Sequence, residues 1–259
     1  MDYLLETRGL TIHFGGLVAI RDLDSFVSKG EVLGLIGPNG SGKTTYINLI
    51  TGIYSPTSGD IEFQGESIVG LAPFQLVHRG IARTFQNSRL FSNLSVLDNI
   101  IIGMHHKQRT QWYDAVFRSR FARQELKNSA KRAVELLEYF SKELVDERFK
   151  RAIELPQAYR RKLEICRALA SDPVLLLLDE PAAGMDQEET LALMEDIRRI
   201  LEWKKDLAII IVEHDMMVIK NIADRVLVIN YGQKIAEGTF DHVSNNPEVI
   251  TAYLGESQC

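Results

Sequence analysis

Cysteine is nearly missing from this chain: Cys166 and Cys259 are the only two among 259 residues. That count excludes a disulfide framework, and a reducing cytoplasm fits. Cys166 falls on the apolar face of an expected helix, and Cys259 is the terminal residue. Long apolar runs are missing too. The longest lie in VLLLLDEP (174–181) and LAIIIVEH (207–214), far short of the roughly 20 residues that span a bilayer as a helix. The opening MDYLLETRGL is acidic early and lacks a secretory core. Membrane association is therefore expected only through a partner. Positive charge is not in excess: 30 Lys and Arg against 35 Asp and Glu leave a net charge of −5. This argues against a broad nucleic-acid-binding face, though not against a local basic patch. Repeats and low-complexity tracts are also missing.

What is present describes a folded chain. It is 45% hydrophobic and 25% charged, ordinary for a soluble globular protein. The length suits one large α/β domain or two small ones. LLETRGLTIHF and AIRDLDSFV read as strands, and a PTSGD turn introduces DIEFQGESI. EVLGLIG is a short apolar strand, followed by a glycine loop and a helical TTYINLITGI. Residues from about 73 to 170 read mostly as helix, including VLDNIIIGMHH and AKRAVELLEYFSKEL. Alternation then returns: VLLLLDE strand, DQEETLALMEDIRRILEWKK helix, LAIIIVEH strand, MMVIKNIAD helix, RVLVIN strand. Such alternation predicts a mostly parallel sheet covered on both faces. QKIAEGTFDHVSNNPEVITAYLG ends the chain as a hairpin strand and a closing helix or two. The whole reads as one α/β core with a helical insertion. Within it, HHKQRTQWYDAVFRSRFARQELK (105–127) is basic and aromatic; we take it as a solvated helix face with inward aromatics, ahead of a docking surface.

One motif carries phosphate chemistry. GPNGSGKTT comprises Gly37, Pro38, Asn39, Gly40, Ser41, Gly42, Lys43, Thr44 and Thr45 and fits G-x-x-x-x-G-K-[ST], with a strand before it and a helix after it. Its glycines let backbone N–H groups curl around phosphate oxygens. Lys43 can reach the β- and γ-phosphates, and the Thr44 hydroxyl suits Mg²⁺, which prefers hard oxygens. Asp179 and Glu180 end an expected parallel strand, whose C-terminal residues face the ligand crevice. Asp179 suits Mg²⁺, and Glu180 can orient or deprotonate water. His214 ends another strand on the same rim, although a lone strand-end histidine is more often a cap or core residue. Gln86, in RTFQNS, reads alone as a surface residue. Phe14 reads alone as a core aromatic, or as a platform for a base.

One stretch stands apart. LPQAYRRKLEICRAL (155–169) predicts a helix starting at Pro156, with Tyr159, Leu163, Cys166 and Ala170 on one face. Arg160, Arg161, Lys162 and Glu164 fall off that face. A helix N-terminus attracts anions, yet this one offers neither glycine nor serine.

Together these residues resemble the ATP-binding cassette (ABC) ATPases, the motor subunits of ABC transporters, over essentially the whole chain. FGGLVAI, IARTFQNSRLFSNLSVLDNI, LLLLDEPAAGM, VEHDM and VLVINYGQKIAEG are most similar to the importer group for branched-chain and other hydrophobic amino acids. The resemblance implies a P-loop NTPase fold of α/β class. Its core would be RecA-like with a mostly parallel sheet, an N-terminal antiparallel β subdomain and a helical subdomain insertion. Approximate bounds are 1–85 and 171–259 for the core with its β subdomain, and 86–170 for the helical part, in a single 1–259 domain. It implies roles as well: Phe14 stacks on adenine, the loop binds ATP with Mg²⁺, and Gln86 and Asp179 organise metal and water. Glu180 acts as base, His214 contacts the γ-phosphate, and Asp186 in AAGMD forms the D-loop.

In that family an LSGGQ signature stands where this chain has Leu155, Pro156, Gln157, Ala158 and Tyr159; only the leucine matches. The signature reaches across a head-to-tail dimer to the opposite subunit's γ-phosphate, so this chain is expected to supply a full first half-site and a degraded second one. A heterodimer with a second ABC ATPase is favoured over a homodimer. Transmembrane permease subunits are expected partners on the cytoplasmic face of the inner membrane, with a periplasmic solute-binding protein acting indirectly. No nucleic acid is expected as partner. The alternatives are a low-turnover regulatory subunit, or the ATPase of a lipid- or lipopolysaccharide-type transporter.

Overall fold

The computed structural model describes residues 3–84, 90–107 and 120–254. Gln86 and most of the basic aromatic segment lie outside them. The chain divides into two compact units: Met1–Arg83, Val174–Pro181 and Lys204–Cys259 form the first, and Thr84–Pro173 with Ala182–Trp203 the second.

The first unit contains two sheets. Strands β1 (Leu5–Phe14), β2 (Leu17–Val27), β4 (Ser58–Phe63) and β5 (Glu66–Ser67) form an antiparallel sheet in the order β2-β1-β4-β5. Burial on β1 alternates through Leu5 and Thr7, then slips to Leu10 and Ile12. The slip coincides with a register shift past Gly9, whose φ is 56°; an extra residue there re-aims the strand so that both halves bury their apolar side.

The second sheet orders β10 (Gln233–Gly238), β9 (Arg225–Asn230), β3 (Val32–Ile36), β8 (Ala208–Val212), β7 (Leu175–Asp179) and β6 (Ile81–Arg83). All neighbours are parallel except β10, which returns antiparallel on β9. Strands β3, β7 and β8 are buried at every residue, which is why they read as continuous apolar runs rather than alternating ones. Leu33, Leu35, Leu175, Leu177, Ile210, Leu227 and Ile229 join one core with Tyr46, Ile47 and Ile50 of helix α1 (Lys43–Ile50) and with Leu10, Ile20 and Leu23 of the antiparallel sheet. On the opposite face, Gly34 leaves only enough room for Ile219 and Ala223. Strand β6 falls in a region read as helical. Three residues carry no period of their own, and Ile81–Arg83 extend because the edge of β7 offers partners at Leu175–Leu177.

Helix α2 (Pro73–Arg79) precedes β6 in the first unit; helices α3 (Val96–Gly103), α4 (Arg120–Phe140), α5 (Lys142–Asp146), α6 (Gln157–Leu169) and α7 (Gln187–Trp203) build the second. The segment expected as one helix through Leu144 breaks at Ser141, which is extended at φ −147° and ψ 104°. Its hydroxyl donates to Glu143 at 2.7 Å, the local side-chain bonding that lets serine compete with helix continuation. Helix α6 starts after Pro156, as its period predicts, but Lys162 and Glu164 are buried rather than solvated. Lys162 pairs with Asp196 of α7 at 2.7 Å, and Asp196 also faces Arg199 at 3.2 Å. The periodicity rule marks charged residues as outward; a partner on the facing helix reverses that for Lys162.

Candidate nucleotide-binding site

The glycine loop joins the C-terminal end of β3 to the first turn of α1. Gly37 and Gly42 take φ of 151° and 111°. A Cβ on Gly37 would overlap the Ile229 carbonyl oxygen, and one on Gly42 would come within 2.8 Å of both the Ala19 carbonyl oxygen and Ile20 Cδ1. Only glycine fits these two positions. Lys43 folds back over the loop, its Nζ donating to the carbonyl oxygens of Gly37 at 2.7 Å and Pro38 at 2.9 Å. Gly232 of the β9–β10 turn donates its N–H to the Ser41 carbonyl at 2.8 Å, which ties the loop to the sheet. Inside this curl the Ser41 hydroxyl oxygen is buried and has no hydrogen-bond partner. A buried polar atom is rarely left so. Within a helix N-terminal turn rich in N–H groups, it suits a phosphate oxygen. Pro38 is buried, Asn39 and Gly40 are exposed, Thr44 is exposed on the first turn of α1, and Thr45 is half-buried.

Asp179 ends β7 and is buried. Its Oδ2 accepts from Arg83 Nη2 at 2.8 Å, and Arg83 Nη1 reaches Asn48 Oδ1 at 2.5 Å. Asp179 pairs in register with Val212 of β8, so the residues just beyond the two strands emerge side by side. Glu180 Oε1 consequently stands 4.0 Å from His214 Nδ1. Glu180 adopts φ 49° and donates its N–H to the Val212 carbonyl at 2.9 Å. A non-glycine residue in the left-handed region costs energy and collects at functional sites. The histidine is two-thirds exposed and the glutamate one quarter.

Phe14 is not a core aromatic. It sits 43% exposed at the tip of the β1–β2 hairpin, edge-on to Tyr54 with centroids 5.1 Å apart. Such an exposed ring is suited to stacking. In the second unit, Asp186 is exposed and caps α7: its Oδ1 accepts from the Glu189 N–H at 2.8 Å. At the start of α6, Leu155 and Ala158 are buried, Pro156 and Gln157 are exposed, and Tyr159 is half-buried. Pro156 holds the cap position with no side-chain cap bond. The Gln157 amide lies over Gly184, where a Cβ would come within 2.5 Å of its nitrogen. Arg161 is engaged by Glu164 at 3.1 Å, so its charge is partly spent within its own helix.

Sequence reading missed Arg83. No local signal marked it: its strand is only three residues long and its partner Asp179 lies 96 residues on. Among the described residues no helix is long and apolar enough to cross a membrane.

Comparison with known proteins places this arrangement. Residues 20–183 match the ABC transporter family, and residues 233–258 match a segment described as branched-chain amino acid ATP-binding cassette transporter. The chain is 37% identical over 254 residues to the high-affinity branched-chain amino acid transport ATP-binding protein BraF of Pseudomonas aeruginosa, covering 98% of each. It matches LivG of Escherichia coli K12 equally, and a probable LivG of Methanocaldococcus jannaschii at 32% over 98% of each chain. A crystal structure of the ADP conformation of an ATP-binding cassette of an ABC transporter superposes with a TM-score of 0.83 at 30% identity, covering 98% of this chain and all of that one. A nucleotide-free cassette gives 0.82 at 31%, covering 97% and 98%. With its glycine loop, strand-end acids and both sheets in that arrangement, the chain belongs to the ABC transporter family and is an ATP-binding ATPase subunit homologous to branched-chain amino acid transport ATP-binding proteins.

Proposed function

We propose that this subunit hydrolyses MgATP to drive uptake of branched-chain or other hydrophobic amino acids through transmembrane permease subunits. It would act at the cytoplasmic face of the membrane, with a periplasmic solute-binding protein delivering cargo. The relatives' names favour branched-chain amino-acid transport over a lipid- or lipopolysaccharide-type transporter. The observation that carries the reading is the loop itself: an unpartnered Ser41 hydroxyl inside a glycine curl closed by Lys43, in one unit with Asp179, Glu180 and His214.

The residue roles follow from chemistry. The loop amides, Ser41 and Lys43 hold the β- and γ-phosphates. Thr44 and Asp179 offer the hydroxyl and carboxylate oxygens that suit Mg²⁺, whose usual protein contribution is one or two such ligands beside substrate phosphates. Bound Mg²⁺ neutralises charge on the phosphate oxygens. Glu180 takes the proton of the attacking water, and His214, beside it, orients the γ-phosphate. Phe14 stacks on the adenine. Gln86, outside the described residues, is assigned with Asp179 to organising Mg²⁺ and water, a role that the family resemblance implies.

The Leu155–Tyr159 segment makes the subunit asymmetric. Pro156 supplies neither hydroxyl nor N–H, and Gln157 and Ala158 carry side chains where a neighbouring nucleotide needs bare backbone. We infer that the working unit pairs this chain with a second ATPase bearing an intact signature, with Asp186 at the shared interface. Hydrolysis then runs on Lys43 and Glu180 of this chain. The test is steady-state phosphate release by the purified chain alone and after addition of its candidate partner. Near silence alone and turnover on pairing supports the heterodimer. Full turnover alone overturns it.

A further inference from the structure

Arg83 lies between the two halves of the phosphate site and belongs to none of the motifs that define it. It ends β6, one strand beyond β7. Its guanidinium is nearly buried, as is the Asp179 carboxylate, with side-chain exposures of 8% and 6%. Nη2 donates to Asp179 Oδ2 at 2.8 Å. Nη1 donates to Asn48 Oδ1 at 2.5 Å and approaches Thr51 Oγ1 at 3.4 Å. Asn48 is in α1, the helix whose first turn carries Thr44, and Thr51 caps its C-terminal end. One planar fork thus spans the phosphate-loop helix and the end of the acid-bearing strand.

We propose that Arg83 is a positioning residue for Mg²⁺, acting through Asp179: it fixes the plane of the carboxylate relative to the Thr44 helix. The inference rests on the proposed Mg²⁺ role of Asp179. Two physical arguments carry it. A buried polar side chain is held in place by the partner that satisfies it, and the planar guanidinium of Arg83 presents its donors in a fixed fork geometry. A carboxylate also has two oxygens and about four lone-pair sites, so the Arg83 N–H on Oδ2 sets its orientation while occupying one of several such sites. Lysine would bring the charge but not the fork that holds Asn48 and Asp179 together. Groups that orient a metal's ligands typically change metal affinity by about 10- to 100-fold.

The test measures affinity for a fluorescent ATP analogue, in EDTA and across a Mg²⁺ titration, in the full chain. Wild type is compared with Arg83→Gln, Asp179→Asn and the double variant. The expected result is that Arg83→Gln raises the Mg²⁺ concentration for half-maximal effect by about tenfold and leaves affinity in EDTA within about twofold. In the Asp179→Asn background the same substitution changes the Mg²⁺ requirement by less than about twofold, since its route of action is gone. An equal cost in both backgrounds overturns the inference while leaving the Asp179 reading intact. A lowered Mg²⁺ requirement in Arg83→Gln also overturns it, because Arg83 would then compete with the ion. An Asp179→Asn variant with unaltered Mg²⁺ dependence removes both readings together. Should Arg83→Gln lose binding in EDTA, Asn48→Ala carries the test: it releases one end of the fork while keeping the charge, and an unchanged Mg²⁺ requirement there overturns the inference.

Discussion

Glu180 Oε1 and His214 Nδ1 stand 4.0 Å apart, at the ends of strands whose last paired residues are Asp179 and Val212. The pair owes its proximity to parallel register: each side chain lies just past its own strand, on the same rim. One consequence is a separation of binding from chemistry. Glu180→Gln keeps the side chain's size and removes its basicity. ATP affinity is expected to stay within about twofold while hydrolysis falls by roughly 10²–10⁴, the range of a positioned general base. Nucleotide binding and phosphate release on the paired ATPases check this. Turnover retained in Glu180→Gln assigns the proton to another group.

Lys43 predicts the opposite split. Its ammonium closes the loop through the Gly37 and Pro38 carbonyls and is placed to exchange those contacts for phosphate oxygens. Charge-assisted hydrogen bonds contribute about 1.5–3 kcal/mol, so Lys43→Ala is expected to weaken ATP binding by about 10- to 100-fold. Equilibrium titration with nucleotide reads this directly. Affinity unchanged from wild type contradicts the phosphate-loop assignment.

Much of this site was legible in the sequence because its parts are local. The glycine loop, the Asp179–Glu180 pair and His214 each sit where an apolar run ends, and a strand-end position needs no long-range information. Phe14 was ambiguous because an aromatic in an alternating strand reads as core; only the hairpin tip exposes it. Lys162 and Arg83 were not legible at all. Lys162 is buried by Asp196, 34 residues on, and Arg83 by Asp179, 96 residues on. Periodicity assigns a charged residue to water, and a partner that distant leaves no local trace. Strand β6 was hidden for a similar reason, since its pairing comes from β7 and not from its own three residues.

The Lys162–Asp196 pair makes a stability prediction for the second unit. Both side chains are only 4% exposed. Burial holds the Asp196 carboxyl above the usual carboxylate range, with Lys162 opposing that shift. Lys162→Met leaves the acid buried without its closest cation and is expected to destabilise by about 3–5 kcal/mol. Replacing both, as Lys162→Met with Asp196→Leu, is expected to recover most of that loss, because the desolvation cost of the pair disappears too. Urea denaturation of the three proteins measures it. A double variant as weak as the single one would mean that packing, not charge, governs this contact.

Tyr46 gives a pH-dependent prediction in the first unit. It lies in α1 directly behind the phosphate loop, fully buried, with its hydroxyl 2.6 Å from Ser25 Oγ, which in turn is 2.8 Å from Thr7 Oγ1. Burial pushes the phenol up to about 12 from an ordinary 10, against the opposing pull of the Ser25 hydrogen bond. The folded state therefore binds this proton more tightly than the unfolded one. Its contribution to stability is whole below pH 10 and is lost as pH rises from 10 towards 12. At roughly 1.4 kcal/mol per unit, the loss reaches about 3 kcal/mol across that window. Tyr46→Phe has no such proton. At pH 8 the variant is expected to be less stable by about 1 kcal/mol, the net value of one hydrogen bond. By pH 11 the wild type has lost about 1 kcal/mol from this group, so the gap in stability closes. Urea unfolding of both proteins at the two pH values decides it: a gap that stays constant would mean that the phenol ionises in the folded protein as readily as in the unfolded chain, and would overturn the upward shift.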